Sequence, residues 1–270
     1  MPVNIKLGLG INSGGGARFT PKKISGLALW LDASDLSTIT KDGSNYVSEW
    51  RDKAGSAAKM VQATGSKQPL FDGVKVVFDG NSDVLVSASN IDFSSTKAIS
   101  VFMVLKNLTT SYVAGGAFSA LLELTPSWFT VTNGFSLNFS KGTTYDGIAT
   151  ALKGDVGFNN YGTTDANYIT TKGMLLAIFD KNKTGGPESE VYVNNVAKTL
   201  ALNGTLGTDD KDNGNTFANS TIHIGARSSG AASTFANIEL NELIVYKSNL
   251  SVPDRQKVTN YLLRKWGVTI

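Results

Sequence analysis

The side chains able to carry catalysis in this 270-residue chain are few and scattered. There is one histidine, His223, and no cysteine, which excludes a thiolate metal site, a cysteine nucleophile and a disulfide scaffold. A Ser-His-Asp triad would have to pass through His223. That residue alternates with Ile222 and Ile224, as a histidine on a strand face does, and no Gly-x-Ser-x-Gly turn supplies a nucleophile. Retaining glycoside hydrolysis needs two carboxyl groups about 5–5.5 Å apart. A strand motif of Glu, Asp two residues on, then a further Glu does not occur. Glu188 and Glu190 are two apart, but they follow the turn Thr184-Gly185-Gly186-Pro187 and read as solvated edge residues. Glu239 and Glu242 are three apart, a spacing that places them on opposite faces of a strand. The chain is therefore expected not to be an enzyme.

Binding chemistry is better represented. The run Asp209-Asp210-Lys211-Asp212 fails as an EF-hand loop, because its third and twelfth positions hold Lys211 and Ser220. Asp209, Asp210 and Asp212 leave an irregular Ca2+ site as the one metal reading, against a plain hydrated acidic loop. No other cofactor is implied: Gly8-Leu9-Gly10 lacks the third glycine and the βαβ unit of a dinucleotide fingerprint. Carbohydrate recognition needs aromatic platforms beside polar groups on loops. Trp128, Tyr145, Tyr161 and Tyr168 stand in loop-like sequence rich in Gly, Asn and Thr and are the candidates, with core packing the alternative for each. A net charge of +3 with both signs dispersed offers no stripe for a phosphate backbone, and no apolar run is long enough for a membrane span. The opening Met1-Pro2-Val3-Asn4-Ile5-Lys6 lacks the order of a signal peptide, so use without signal-peptide export is expected.

The elements that must position these groups are mostly strands. Val3, Ile5, Leu7, Leu9 and Ile11 are apolar at every second position, and Ser13-Gly14-Gly15-Gly16 follows as a hinge. Residues 1–23 read as an N-terminal extended arm, whose strand either joins the domain's own sheet or adds to a neighbour's sheet edge. From Ile24 onward, short apolar segments alternate with turn clusters such as Asp79-Gly80, Asn133-Gly134 and Asn203-Gly204. Ten strands are predicted: Leu27–Leu31, Val74–Phe78, Val84–Ser87, Ile99–Leu105, Ala117–Leu124, Phe135–Phe139, Met174–Phe179, Glu190–Val193, Thr221–Ile224 and Ile238–Tyr246. That pattern predicts an all-β, two-sheet antiparallel sandwich spanning 24–270 as one domain.

One amphipathic α-helix closes the chain. Ser251 caps it, Asp254 lies in the first turn, and Val258, Tyr261, Leu262 and Trp266 share a face before Gly267 ends it. In the first strand, Leu27, Leu29 and Leu31 are expected on one face and Ala28 and Trp30 on the other, as in a strand covered on both sides. In the last, Ile238, Leu240, Ile244 and Tyr246 share a phase that Glu242 interrupts. Glu242 is expected either to tie the helix down or to hold a ligand or metal.

Several of these segments together resemble the concanavalin A-like, laminin-G-like jelly-roll domains of phage virion proteins and bacterial surface proteins. They are Gly26-Leu27-Ala28-Leu29-Trp30-Leu31-Asp32-Ala33-Ser34-Asp35, Val47-Ser48-Glu49-Trp50-Arg51-Asp52, Val76-Val77-Phe78-Asp79-Gly80-Asn81-Ser82-Asp83, Ile238 to Tyr246, and Tyr261-Leu262-Leu263-Arg264-Lys265-Trp266-Gly267. The resemblance implies a jelly-roll sandwich in which Trp30, Asp32, Trp50, Asp79, Glu242 and Trp266 are structural. It implies a virion structural protein, as a capsid decoration, head-fibre or tail-associated subunit on the outer surface. Its arm would dock on other virion proteins or on copies of itself, with weak binding of host surface glycans and no nucleic-acid partner. The alternative is a carbohydrate-binding module of a bacterial surface protein, at the cell surface or outside it; a glycoside hydrolase ranks third.

Overall fold

A computed structural model describes residues 19–56, 58–109, 118–125, 132–141, 146–154, 158–166, 168–183, 187–202, 215–227 and 234–269. The longest apolar runs of the sequence form the middle of an eight-stranded antiparallel sheet. Its path is Val196–Ala197, Ser189–Val193, Gly173–Asp180, Ala98–Asn107, Asn237–Tyr246, Val76–Asp79 and Leu70–Phe71, with Leu27–Asp32 pairing the far half of Asn237–Tyr246. A ten-stranded antiparallel sheet faces it. The path there is Leu200–Leu202, Phe158–Thr163, Asp146–Lys153, Phe135–Lys141, Phe118–Leu124, Ile222–Ile224, Leu85–Ser87, Lys59–Val61, Val47–Arg51 and Ile39–Lys41.

The two sheets enclose one apolar core in which Leu29, Trp50, Phe78, Leu122, Phe135, Phe179 and Val245 are buried. Phe135 of the ten-stranded sheet meets Phe179 of the eight-stranded sheet at 4.5 Å between ring centroids. Each such side chain contributes about 1.5–3 kcal/mol by leaving water. The eight-stranded sheet is apolar on its other face too, because helix α1 (Val252–Trp266) covers it. Val258, Leu262, Leu263 and Trp266 pack there on Phe102, Val104, Leu176, Ile178 and Ile244. The caps are as the sequence sets them: Ser251 accepts from the Asp254 N–H, and Gly267 takes φ +61°.

Two bulges change the predicted phases. Ala28 is an extra residue between the Leu27–Tyr246 and Leu29–Val245 pairs. Ala28, Leu29 and Leu31 therefore face the inter-sheet core, while Leu27 and Trp30 face the helix. Asn241 is likewise extra against Ala98–Asn107. Ile238 and Leu240 point into the core, then the phase flips, and Ile244 and Tyr246 point at the helix layer. Glu242 thus breaks no core row, and it shares the helix-side face with Glu239 instead of opposing it.

Glu242 is fully buried under the helix. Its Oε1 accepts from Trp30 Nε1 at 2.7 Å and Tyr261 OH at 2.8 Å, and its Oε2 from Lys265 Nζ at 2.7 Å and Trp266 Nε1 at 2.6 Å. Lys265 also meets Asp32 at 2.6 Å, and Lys53 joins Asp32 and Asp35, each at 2.8 Å. Burial pushes the Glu242 carboxyl up, against the pull of Lys265. Burial works the same way on Asp32, but hydrogen bonds from Lys265 and Lys53 win and hold it below the ordinary carboxylate range. This clasp ties the first strand, the last strand and the helix at one point.

Candidate functional site

The end of the sandwich carries the feature that packing alone does not require. After Phe158–Thr163 the chain leaves the ten-stranded sheet and crosses to the eight-stranded one at Gly173–Asp180. On this crossing Tyr168 plugs the core against Phe139, 6.3 Å between centroids. Ile169, next to it, is held at φ +51°. A β-branched residue in that region is strained by about 1–3 kcal/mol, so the surroundings must over-determine it. They do so from two sides: its carbonyl accepts from the Asn107 N–H at 2.9 Å, and its side chain is buried in the core.

The turn Asn194–Asn195 closes the other wall. Both residues have positive φ, +48° and +67°, which asparagine tolerates. Asn194 Oδ1 accepts from the Met174 N–H at 2.8 Å. Gly173 lies between the walls. A Cβ there would come within 2.8 Å of Ile169 Cγ2 and 3.1 Å of Asn194 Oδ1, so the close approach requires glycine.

The result is an open pocket of about 340 Å³, with Tyr168, Ile169 and Val193 below and Asp165, Thr170, Thr171 and Asn194 around the rim. That volume is at the low end of ligand pockets, about 300–1,000 Å³. Thr170, Thr171 and Asp165 are exposed, and Lys198 reaches Asp165 at 2.8 Å. Two hydroxyls, a carboxylate and an amide thus surround an apolar floor, with the Lys198 ammonium paired to that carboxylate. Such a set suits a ligand that alternates hydroxyls with C–H faces.

A second charged group sits on the face of the ten-stranded sheet turned away from the core. Glu123 alternates with Leu122 and Leu124, Ser136 with Phe135 and Leu137, and His223 with Ile222 and Ile224, all core residues. Cross-strand register aligns Ser136, Glu123 and His223 in one row. Arg227 Nε donates to the buried Glu123 Oε2 at 3.1 Å, and its guanidinium lies 4.2 Å from the Phe118 ring centroid. Burial lowers the Arg227 guanidinium despite Glu123 beside it, and lowers His223 to about 4, so this imidazole is neutral near pH 7.

Of the sequence candidates, Tyr168 is in the pocket floor, while Tyr161 pairs with Thr150 and Leu202 on an inward-facing row. Burial and the Glu188 carboxylate raise the Tyr161 phenol. Trp128, Tyr145, Val3, Ile5, Leu7, Leu9, Ile11, Asp209, Asp210 and Asp212 lie outside the described residues. Trp30, Asp32, Glu242 and Trp266 meet in the clasp. Trp50 is in the core, and Asp79 Oδ1 accepts the N–H groups of Asn81, Ser82 and Asp83.

Glu188 is buried and not a solvated edge residue, and Glu190 is bound by Lys183, Tyr192 and Arg255. Glu188 lies close enough to Tyr161 of the facing sheet for its charge to act on that phenol, and Arg255 reaches Glu190 from the helix. The sequence reading missed Asp165, Thr170, Thr171, Asn194 and Lys198; their only signal was the polar composition around Tyr168. Among the described residues no group of three or more His, Asp or Glu is placed to hold a metal, and no helix is long and apolar enough to cross a membrane.

The fold is a two-sheet antiparallel β-sandwich closed by one helix. No protein-family model matches the chain, and no curated protein matches it by sequence. Among solved structures it is similar to Trypanosoma rangeli sialidase, with a TM-score of 0.54 at 14% identity over 90% of this chain and 33% of that one. It is also similar to the receptor-binding domain of botulinum neurotoxin C/D mosaic serotype, with a TM-score of 0.54 at 13% identity over 88% of this chain and 52% of that one. The chain therefore spans about a third of the sialidase and about half of the toxin domain. One expectation is overturned: sialidases are enzymes and share this sandwich, so the chain cannot be set down as a non-enzyme.

Proposed function

We propose that this chain is a lectin-like sandwich displayed on the outer surface of a phage virion, where it recognises carbohydrate through the pocket at the Ile169 crossing. The observation that carries the reading is Ile169 itself. A strained β-branched residue is kept between an aromatic floor and a rim of hydroxyl, carboxylate and amide groups. Further support comes from the sandwich shared with solved structures described as a sialidase in complex with sialic acid and as a receptor-binding domain. The virion placement rests on the resemblance to laminin-G-like virion domains and on the alternating N-terminal segment, read as a docking arm.

Two experiments test the two halves. On a glycan array the full chain should bind a restricted set of glycans. Asp165→Ala and Thr171→Ala should each weaken that binding about tenfold, or 1.4 kcal/mol. Binding indifferent to both substitutions would remove the pocket from the reading. An antibody to the chain should decorate intact virions in electron micrographs; decoration confined to bacterial envelopes would move the protein to the cell surface.

A further inference from the structure

The edge formed by residues 36–46 and 70–74 carries exposed apolar side chains in addition to those that serve the core, where Phe71 is buried and Ile39 packs against it. Ile39–Lys41 ends the ten-stranded sheet, and among the described residues no strand pairs with its outer side. An unpaired edge of this kind templates another strand unless something blocks it. Beside it Leu36 is 62% exposed, Val74 56%, Tyr46 43% and Leu70 38%. Leu36 and Ile39 line a shallow cavity of about 440 Å³ with Phe71 and Gly73, Val74 follows directly, and Tyr46 bridges Leu70 alongside. Leu36 beside the free edge, with Tyr46, Leu70 and Val74 where the end strand Leu70–Phe71 of the facing sheet comes alongside, form an exposed apolar patch that marks a docking surface.

The sequence contains a matching occupant. Val3, Ile5, Leu7, Leu9 and Ile11 would present one apolar row if extended, with Asn4, Lys6, Gly8 and Gly10 opposite. Seven residues, Asn12–Arg18, separate this segment from Phe19 and reach about 25 Å at most. Phe19 packs on Tyr261, and the Pro21 carbonyl accepts from Tyr246 OH, so the chain enters over the helix layer. The free edge belongs to the opposite sheet, which favours a neighbour's edge over the chain's own.

We infer that the Val3–Ile11 segment of one copy adds as a strand to the Ile39–Lys41 edge of a neighbouring copy, its apolar row covering Leu36 and Ile39. Backbone pairing supplies the register and the apolar row the specificity. The inference rests on the display reading, in which this segment attaches the protein to its neighbours, but not on carbohydrate binding.

The chain has no cysteine, so introduced thiols are the only ones present. Full-length Leu7→Cys is mixed with full-length Leu36→Cys, or with Val196→Cys as control, since Val196 is 54% exposed on a different sheet edge. Each mixture is oxidised, and in parallel bridged with a short bismaleimide that tolerates a shift of register. The Leu7–Leu36 heterodimer should form several-fold more than the Leu7–Val196 one, and unmodified full-length protein should compete it away. Equal yields, no heterodimer, or linkage only within one chain in the Leu7→Cys, Leu36→Cys double variant would overturn the inference. Virion labelling reads the display proposal separately, so the two can fail independently.

Discussion

Replacing Glu242 by alanine removes the acceptor of four hydrogen bonds while leaving all four donors in place. Two are indole N–H groups, one is a phenol and one an ammonium, at 2.6–2.8 Å. Lys265 would keep Asp32, but the Trp30 and Trp266 N–H groups would face an empty site. Removing one partner of a buried ionic network costs about 3–5 kcal/mol. For a chain of this size that lowers the melting temperature by roughly 6–20 °C. Glu242→Gln keeps the shape but loses the charge and presents an amide N–H₂ to two donors, so it should fall between alanine and wild type. Urea unfolding followed by tryptophan fluorescence reads the change directly, because Trp30 and Trp266 both contact the replaced group. A double-mutant cycle with Lys265→Met should return a coupling of about 0.5–3 kcal/mol. Glu242→Ala within about 1 kcal/mol of wild type would refute the clasp, since exposed substitutions alone stay within about 0.5 kcal/mol.

Other outcomes follow from single sites. Folded His223 is pushed to about 4 from 6.5, so the unfolded chain binds more protons in that window and stability falls as pH drops through it, by up to about 3 kcal/mol. His223→Gln should remove that loss in melts run between pH 4 and 7. Asp83 has the opposite sign: burial raises it from 3.8 to about 7, the native state binds the extra proton, and stability falls as pH rises through the window. Asp83→Asn should flatten that fall, and the two variants should bend the stability–pH curve in opposite directions. Gly225→Ala places a Cβ 2.2 Å from the Phe78 ring at φ +85°, and should cost more than about 1 kcal/mol in denaturant unfolding. Gly173→Ala should displace Ile169 and weaken ligand binding more than it weakens the fold, checked by binding and melting on the same sample.

Much of the sandwich was legible in the sequence because its central strands are apolar on both faces. Ala98–Asn107, Gly173–Asp180 and Asn237–Tyr246 are of that kind, and α1 announced itself through Ser251, Asp254 and Gly267. What could not be read was phase. One extra residue at Ala28 and one at Asn241 turn the following side chains to the other face, and no local residue type marks either bulge. Asp146–Lys153 and Phe158–Thr163 were missed because small and polar residues replace the expected alternation. The pocket was illegible for a different reason. Tyr168 could be singled out by composition, but Asp165 and Lys198 meet across 33 positions of sequence, through a crossing between sheets that only the topology supplies.

Carbohydrate recognition at the strained crossing is checked by equilibrium binding of a glycan identified on an array, titrated against wild type and Asp165→Ala. The wild-type chain should bind saturably and the variant about tenfold more weakly, with unchanged melting temperature. Saturable binding that the substitution leaves untouched, or no binding to any glycan, would contradict it.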